Sequence, residues 1–225
     1  MLEALADALQ YTSGLLLSPI PIAAMIALLL GGDAARPLGF GIVWVITTFA
    51  ATLALSVIVP APDPGGAQGE PPEWANAVTL VLGVGLLVAA ALLFRRVRHR
   101  DGPARPPGWM RAIDSLALPK VLGLAVALVL ANPINLSMVV GAGFTIGSYD
   151  LSVGSYAVVA LVFALIGSLG VLAPLGWRQV EGNGAAEKLG RARHWLIGHD
   201  AVLSFGMFLI FGLNFAGKGL LGLVD

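Results

Sequence analysis

The sequence predicts an all-α integral membrane protein of six transmembrane helices, arranged as a three-plus-three inverted repeat in which helices one and four are broken. Three observations carry this expectation. Of 225 residues, 57% are hydrophobic and only 12% charged, with a mean hydropathy of +0.87, whereas a soluble domain carries roughly 25% charged residues. Six apolar runs, each long enough to cross about 30 Å of hydrocarbon as a helix, are separated by polar or Gly/Pro-rich punctuation. Two of these runs carry a Pro behind a helix-capping residue, at positions 114 residues apart.

The spans read as Leu9–Leu30, Leu38–Val59, Trp74–Phe94, Leu118–Ala142, Leu151–Leu175 and Ala201–Leu221. They are continuous rather than alternating with period two, which argues against a membrane barrel. The residues before the first run, Met1 to Asp7, carry no Lys or Arg, so this run reads as a span and not as a cleaved leader. Residues 1–225 then form a single transmembrane domain, with one repeat over residues 1–97, a loop over 95–117 and a second repeat over 118–225.

Charge sets the orientation. Twelve of the thirteen basic residues fall in the first, third and fifth loops, and the Lys/Arg bias marks the cytoplasmic side. Both termini, the Pro60–Glu73 loop and the loop at Tyr149–Asp150 are therefore expected outside. Lys218 is the exception, at a span end where its stem can snorkel to the headgroups. The run Arg95–Arg100 anchors its span against anionic lipid, and Asp101–Gly108 cannot be helical throughout. Glu187–Leu196 is expected to form a short basic helix along the membrane surface, with Trp195 at the interface.

The most informative local signals are Ser18-Pro19-Ile20-Pro21 in span one and Asn132-Pro133-Ile134-Asn135 in span four. Ser and Asn are preferred N-caps and Pro is preferred at the first helical position, so each motif reads as a helix restarting inside the bilayer. Backbone groups freed at that depth must be satisfied by protein or cavity water. In an inverted repeat the two new half-helices run in opposite directions, and their positive N-terminal ends converge on a site that favours an anion.

Other classes are excluded by what the residues do not offer. No stretch between spans holds a nucleotide-binding fold, so a self-contained ATP-driven pump is ruled out. There is no Cys, and net charge is zero, which leaves no thiolate metal site and no electrostatic basis for nucleic-acid binding. No metalloprotease helix, phosphate loop, dinucleotide fingerprint or nucleophile elbow occurs. The chain is read as a non-enzyme without cofactor or metal. No ionisable residue lies in the middle third of a span, so no buried proton relay of the usual kind is visible. Asp200 is placed to cap span six, and Asp33, His199 and Asp200 are the candidates for coupling or gating at span ends. Asn214 can bond another helix or line a path. The glycines at Gly83-x-Gly85, Gly141-x-Gly143 and Gly167-x-x-Gly170 fit close helix packing, which also makes a homodimer plausible.

With Leu118-Pro-Lys120 opening span four, Asn132-Pro-Ile-Asn-Leu136 within it, Ser18-Pro-Ile-Pro21 in span one, and Trp195-Leu-Ile-Gly-His-Asp200 leading to Gly217-Lys-Gly-Leu220, the chain resembles the actinobacterial GAP family. These are the peptidoglycolipid- or sulfolipid-addressing proteins of the LysE transporter superfamily. The resemblance spans nearly the whole chain and implies a LysE-like three-plus-three repeat that helps move cell-envelope glycolipids across the plasma membrane. It carries the Pro-containing motifs onto Pro19, Pro21 and Pro133, with Asn132 and Asn135 beside them. The family pattern is usually Asn-Pro-Lys-Asn, and Ile134 departs from it: any headgroup contact made by that Lys in relatives is missing here.

The leading expectation is a transporter of lipid or glycolipid whose path is lined by Ser18, Pro19, Pro21, Asn132, Pro133 and Asn135. Arg95, Arg96 and Lys120 would gather anionic headgroups at the cytoplasmic mouth. Expected partners are membrane lipids, a lipid or small-molecule substrate, a second copy of the chain, and envelope-lipid synthesis or export machinery. Two rival readings are an exporter of small hydrophilic solutes such as amino acids, and a non-transporting membrane partner of a lipid synthase or pump. The first rival needs a narrow watery path with no opening to lipid.

Overall fold

The computed structural model describes residues 1–59, 69–98, 113 and 116–224, and the regular elements within them are all helical. They are α1 (Leu2–Leu9), α2 (Thr12–Leu16), α3 (Pro19–Leu30), α4 (Ala35–Ile58), α5 (Glu73–Arg98), α6 (Leu118–Leu130), α7 (Pro133–Gly147), α8 (Val153–Gly167), α9 (Leu169–Glu181) and, after a 3₁₀ turn at Gly182–Gly184, α10 (Ala185–Val224). Thr12–Leu30, α4, Glu73–Arg95 and α10 are each long and apolar enough to cross a membrane. The pairs α6/α7 and α8/α9 each pass only as a pair, bent by 65° and 57°, which gives up to six spans if each pair is one. The chain is thus a multi-pass, all-helical membrane protein. The expectations for the loop at residues 60–68, for the stretch 99–112 and for the Arg96 side chain fall outside the described residues.

Hydrophobic exposure shows which elements face lipid. Val81, Val84 and Val88 on α5, Leu161 and Leu165 on α8, and Ile210 and Leu213 on α10 are all exposed, a surface no water-soluble monomer carries over such an area. In contrast α7 is buried from Ile134 to Gly147 apart from Leu136, and α3 is buried over most of its length. A helix that is apolar all round belongs in the interior. The two segments that begin at the broken positions are therefore the two most enclosed by protein, as unsatisfied backbone inside a bilayer requires.

Glycine makes the close approaches possible. A Cβ on Gly83 would collide with the backbone of Ala216, and one on Gly219 with the backbone of Leu80, so α5 and α10 meet backbone to backbone. Gly170 lies equally close to the Leu16 carbonyl, while Gly141 receives the Tyr11 ring. These small-residue faces are occupied within the chain. Gly85, by contrast, has open space in front of it.

Helix ends of like charge gather on one side. Gly39 near the start of α4 packs on Leu118 and Leu122 at the start of α6, and the ends of α3 and α9 share a crevice with the start of α4. At the opposite side, Trp74 at the start of α5 packs edge-to-face on Phe144, and Gly147 packs on Ser56 near the end of α4. Arg36, Arg95, Lys120 and Arg178 therefore lie toward the same side.

Two expectations are corrected. The fifth span is broken at Ser168, whose hydroxyl bonds back to the Ala164 carbonyl at 2.5 Å, an arrangement that loosens a helix. Residues 187–196 are not a separate surface helix either, because α10 runs unbroken for 40 residues. Strong helix formers at 185–192 extend it, and Glu187–Arg191 and Glu181–Lys188 ion pairs at 3.0 and 2.6 Å brace its start.

On the side away from the basic ends, the Tyr149 hydroxyl donates to Asp7 of α1. Burial pushes this phenol up from 10.0 to about 12, and the hydrogen bond to the Asp7 carboxylate adds to the effect. A raised value favours the protonated folded form, so the contribution to stability is complete below pH 10 and lost as pH rises through about 12. In an alkaline titration of tyrosine absorbance, Tyr149→Phe is expected to delete the component near pH 12. Its persistence would show that another phenol is responsible.

Candidate functional site

The Asn-Pro-Ile-Asn segment ends one helix and starts the next. Asn132 sits at the N-cap of α7 in an extended conformation, and its Oδ1 accepts from the backbone N–H groups of Ile134 and Asn135 at 3.0 and 3.4 Å. Pro133 takes the first helical position, where no N–H is needed. Asn135 is fully buried and turns the other way, donating from Nδ2 to the Leu128 carbonyl at 2.7 Å. That carbonyl lies in the last turn of α6, where the helix leaves acceptors open. One Asn thus caps the outgoing helix and the other caps the incoming one. Asn135 Oδ1 is buried and has no hydrogen-bond partner among the described residues.

The Ser-Pro-Ile-Pro segment behaves differently. Ser18 occupies the N-cap position of α3, with φ −63° and ψ 110°, but its side chain makes no capping bond. The expectation of a Ser18 cap is corrected: the hydroxyl is buried without a hydrogen-bond partner among the described residues. Of the first three helical positions, Pro19 and Pro21 lack an N–H, so Ile20 alone can offer one there. At Asn132 the corresponding donors are already taken by its own side chain. The anion-favouring character of these two helix starts therefore lies in their dipoles and in side chains rather than in a row of backbone N–H groups.

Packing brings the two starts to one level. Tyr11 lies against Gly141, and Gly14 against Met138, so α2 and α7 run antiparallel. Continued by one turn, this register sets Ser18 at the height of Ile134 and Asn135. Ile134 is itself 2% exposed.

A third element faces the same level and was not among the sequence expectations. Thr52 lies against Gly143 and Ser56 against Gly147, so α4 runs parallel to α7, and the same offset sets Trp44 at the height of Asn135. Trp44, Thr48, Thr52 and Ser56 recur every fourth residue on one buried ridge of α4. Ser56 bonds to the Thr52 carbonyl, but the Trp44 indole N–H and the hydroxyls of Thr48 and Thr52 are buried without hydrogen-bond partners among the described residues. Trp44 stacks on Phe40 at 6.2 Å. Leaving a buried polar group unmatched costs about 1–3 kcal/mol, and atoms of Ser18, Trp44, Thr48, Thr52 and Asn135 are each left so among the described residues. The period-four spacing of Trp44, Thr48, Thr52 and Ser56 is the signal that marks this ridge in the sequence.

A family model described as "Sap, sulfolipid-1-addressing protein" matches residues 10–221. The chain belongs to this family. No curated protein and no solved structure matches it. In this sulfolipid-1-addressing family member, the remaining candidate residues lie away from the central level. Asp33 precedes α4, accepting from the Ala35 N–H and the Arg36 Nε at 2.9 Å each. The Ala35 hydrogen bond chiefly holds its carboxyl below the usual value, and Arg36 adds to this, so Asp33 stays ionised at neutral pH. Asp200 does not cap a helix as expected: α10 passes through it, and it accepts from Ser204 at 3.3 Å. His199 is exposed, stacked on Trp195 and bonded through Nδ1 to the Trp195 carbonyl. Lys120 is exposed in the first turn of α6, and Arg95 lies near the end of α5 beside α10, where Phe94 meets Phe205.

Lys218 departs from the snorkelling expectation. Its ammonium turns inward over the Tyr11 ring at 5.0 Å and donates to Gln10 and to the Tyr11 hydroxyl. Thr145 of α7 donates to that same hydroxyl. The α2/α7 interface thus carries the Ser18–Asn135 level at one end and a cation at the other. Asn214 is exposed on α10.

Proposed function

We propose that this protein carries a lipid or glycolipid with an anionic headgroup across the plasma membrane, the headgroup passing between two inverted halves of the chain. The observation that carries this reading is that polar side-chain atoms of Ser18, Trp44, Thr48, Thr52 and Asn135 are each buried and without a hydrogen-bond partner among the described residues. Ser18 and Asn135 stand where α3 and α7 begin, and the N-terminal dipoles of those helices favour a negative group there. Discontinuous helices in transporters hold substrate charges in this way. The Ser18 and Thr48 hydroxyls and the Trp44 indole donate to the headgroup, and Lys218 receives it on the outer side. Family membership supports the substrate class through the lipid named in the family's description. The basic helix ends face the cytoplasm and both termini face outward, following the Lys/Arg rule.

The test is replacement of Asn132 by Ala together with Pro133 by Leu at unchanged expression. Loss of both the α7 cap and its fixed start unsettles the central level, and export of the envelope lipid is expected to stop. Export at the parental rate would overturn the reading.

A further inference from the structure

Two polar contacts fasten the beginning of the chain on the side away from the basic helix ends. Tyr149, in the turn between α7 and α8, donates to Asp7 of α1. Three residues further on, the Lys218 ammonium of α10 donates to Gln10 at 2.5 Å and to the Tyr11 hydroxyl at 3.3 Å. Residues 7–11 are therefore held at one end by the α7–α8 turn and at the other by α10. The Tyr11 ring fills the seam between them. It is 6% exposed, a Cβ on Gly141 of α7 would overlap it, and Phe215 of α10 meets it edge-on at 5.6 Å. Tyr11 precedes Ser18 by seven residues, about 10 Å along a helix at 1.5 Å per residue, so the ring stands on the approach to the Ser18–Asn135 level.

We propose that α1 and the Gln10–Tyr11 turn form a strap that closes the outer end of the transport path, with Tyr11 as its plug and the Asp7–Tyr149 and Lys218 contacts as its two fastenings. This closure rests on the transport reading and adds the point at which the path is shut. Apolar packing holds α1 only weakly. Its buried residues are Ala4 and Ala8, whose small side chains remove little apolar surface from water, while Leu2, Glu3, Ala6 and Asp7 are exposed. Hydrogen bonds to a charged group are stronger than neutral ones, so the two fastenings decide whether the strap stays down. Lys218 meets only uncharged partners among the described residues, so no ion pair locks that end and it can release and re-form. The anchors are firmer. α10 meets α5 backbone to backbone at Gly83 and Gly219, and Tyr156 of α8 holds the α7–α8 turn by donating to the Tyr149 carbonyl at 2.7 Å. Release therefore moves the strap and leaves its anchors in place.

The chain has no Cys, so Ser18→Cys in the full-length protein places a single thiol beneath the plug. The variant is expressed in bacterial spheroplasts and a membrane-impermeant methanethiosulfonate reagent is added outside. Leu2→Cys, at an exposed position of α1, gives the rate for an open thiol on the strap side. Ser18→Cys is expected to react far more slowly than Leu2→Cys. Adding Tyr149→Phe and Lys218→Met removes both fastenings at similar side-chain bulk. The Ser18→Cys rate should then rise at least about tenfold, since a hydrogen bond to a charged group is worth that much in an opening equilibrium. Ser155→Ala, on the same side but outside the fastenings, should leave the rate unchanged. Either fastening removed singly should give a smaller rise, which keeps the test open if gel filtration shows that the combination does not fold. An unchanged rate without the fastenings, an equal rise with Ser155→Ala, or no reaction of Leu2→Cys from outside overturns the strap. If the rate does not respond but Asn132→Ala with Pro133→Leu still stops export, the strap alone is wrong. If the rate responds as expected but that double variant exports normally, the central transport reading fails and the strap stands.

Discussion

Gly83→Leu is expected to prevent recovery of folded protein, whereas Gly85→Leu, two positions along the same helix, is expected to leave folding unchanged. At Gly83 even a Cβ would overlap the backbone nitrogen of Ala216 and crowd the Phe215 carbonyl carbon. The atoms this Cβ meets are all main chain, so no rotamer change relieves the clash. Overpacking an interior ordinarily costs about 1–3 kcal/mol because side chains shift, but here α5 and α10 must move apart as whole helices. That separation also strains the approaches at Gly212 and Gly219 and the bond from Asn76 to the Gly222 carbonyl. Gly85 faces open space, and Leu there adds apolar surface to a helix face that already meets lipid. Thermal unfolding and gel filtration in mild detergent check the pair. A monodisperse Gly83→Leu protein with parental melting would show that the two helices do not pack in this register.

The contrast between these two glycines shows how far the sequence could be read. Gly83-x-Gly85 signalled close packing, but composition does not say which glycine faces a neighbour. The spans were legible because hydropathy is a sum over about 20 residues, and errors at single positions cancel. The restart at Asn132 was legible because cap and proline chemistry is local. The break at Ser168 carries no such pair. Its Gly167 and Gly170 matter through their fit against Leu15 and Leu16 of α2, a tertiary contact. Pro174, which lies within α9, marks no boundary. In α10 the residues at 187–196 read as a separate short helix along the membrane surface, although most of them are good helix formers and continue the same helix as the apolar run after them. Ser18 shows the opposite failure, since a residue suited to capping was left unbonded in a buried region.

The polar ridge of α4 escaped notice because Thr and Ser barely alter a hydropathy average, yet it carries the prediction with the largest expected effect on transport. Combining Ser18→Ala, Thr48→Val and Thr52→Val deletes three hydroxyls at little change in shape. If these atoms served stability alone, their loss would be neutral or favourable, because each is buried without a partner among the described residues and such a group costs about 1–3 kcal/mol. Melting of the triple variant is therefore expected at or above the parental temperature. Export should fall at least about tenfold, equivalent to about 1.4 kcal/mol in barrier height, because the headgroup then meets an apolar wall at the level where α3 and α7 begin. Thr79→Val is the matched control, since that hydroxyl already donates to the Ala75 carbonyl at 2.8 Å on α5, away from the ridge. A triple variant that exports at the parental rate would remove the ridge from the path. Stability retained with export lost assigns these polar atoms to the substrate, since nothing else in the described chain satisfies them.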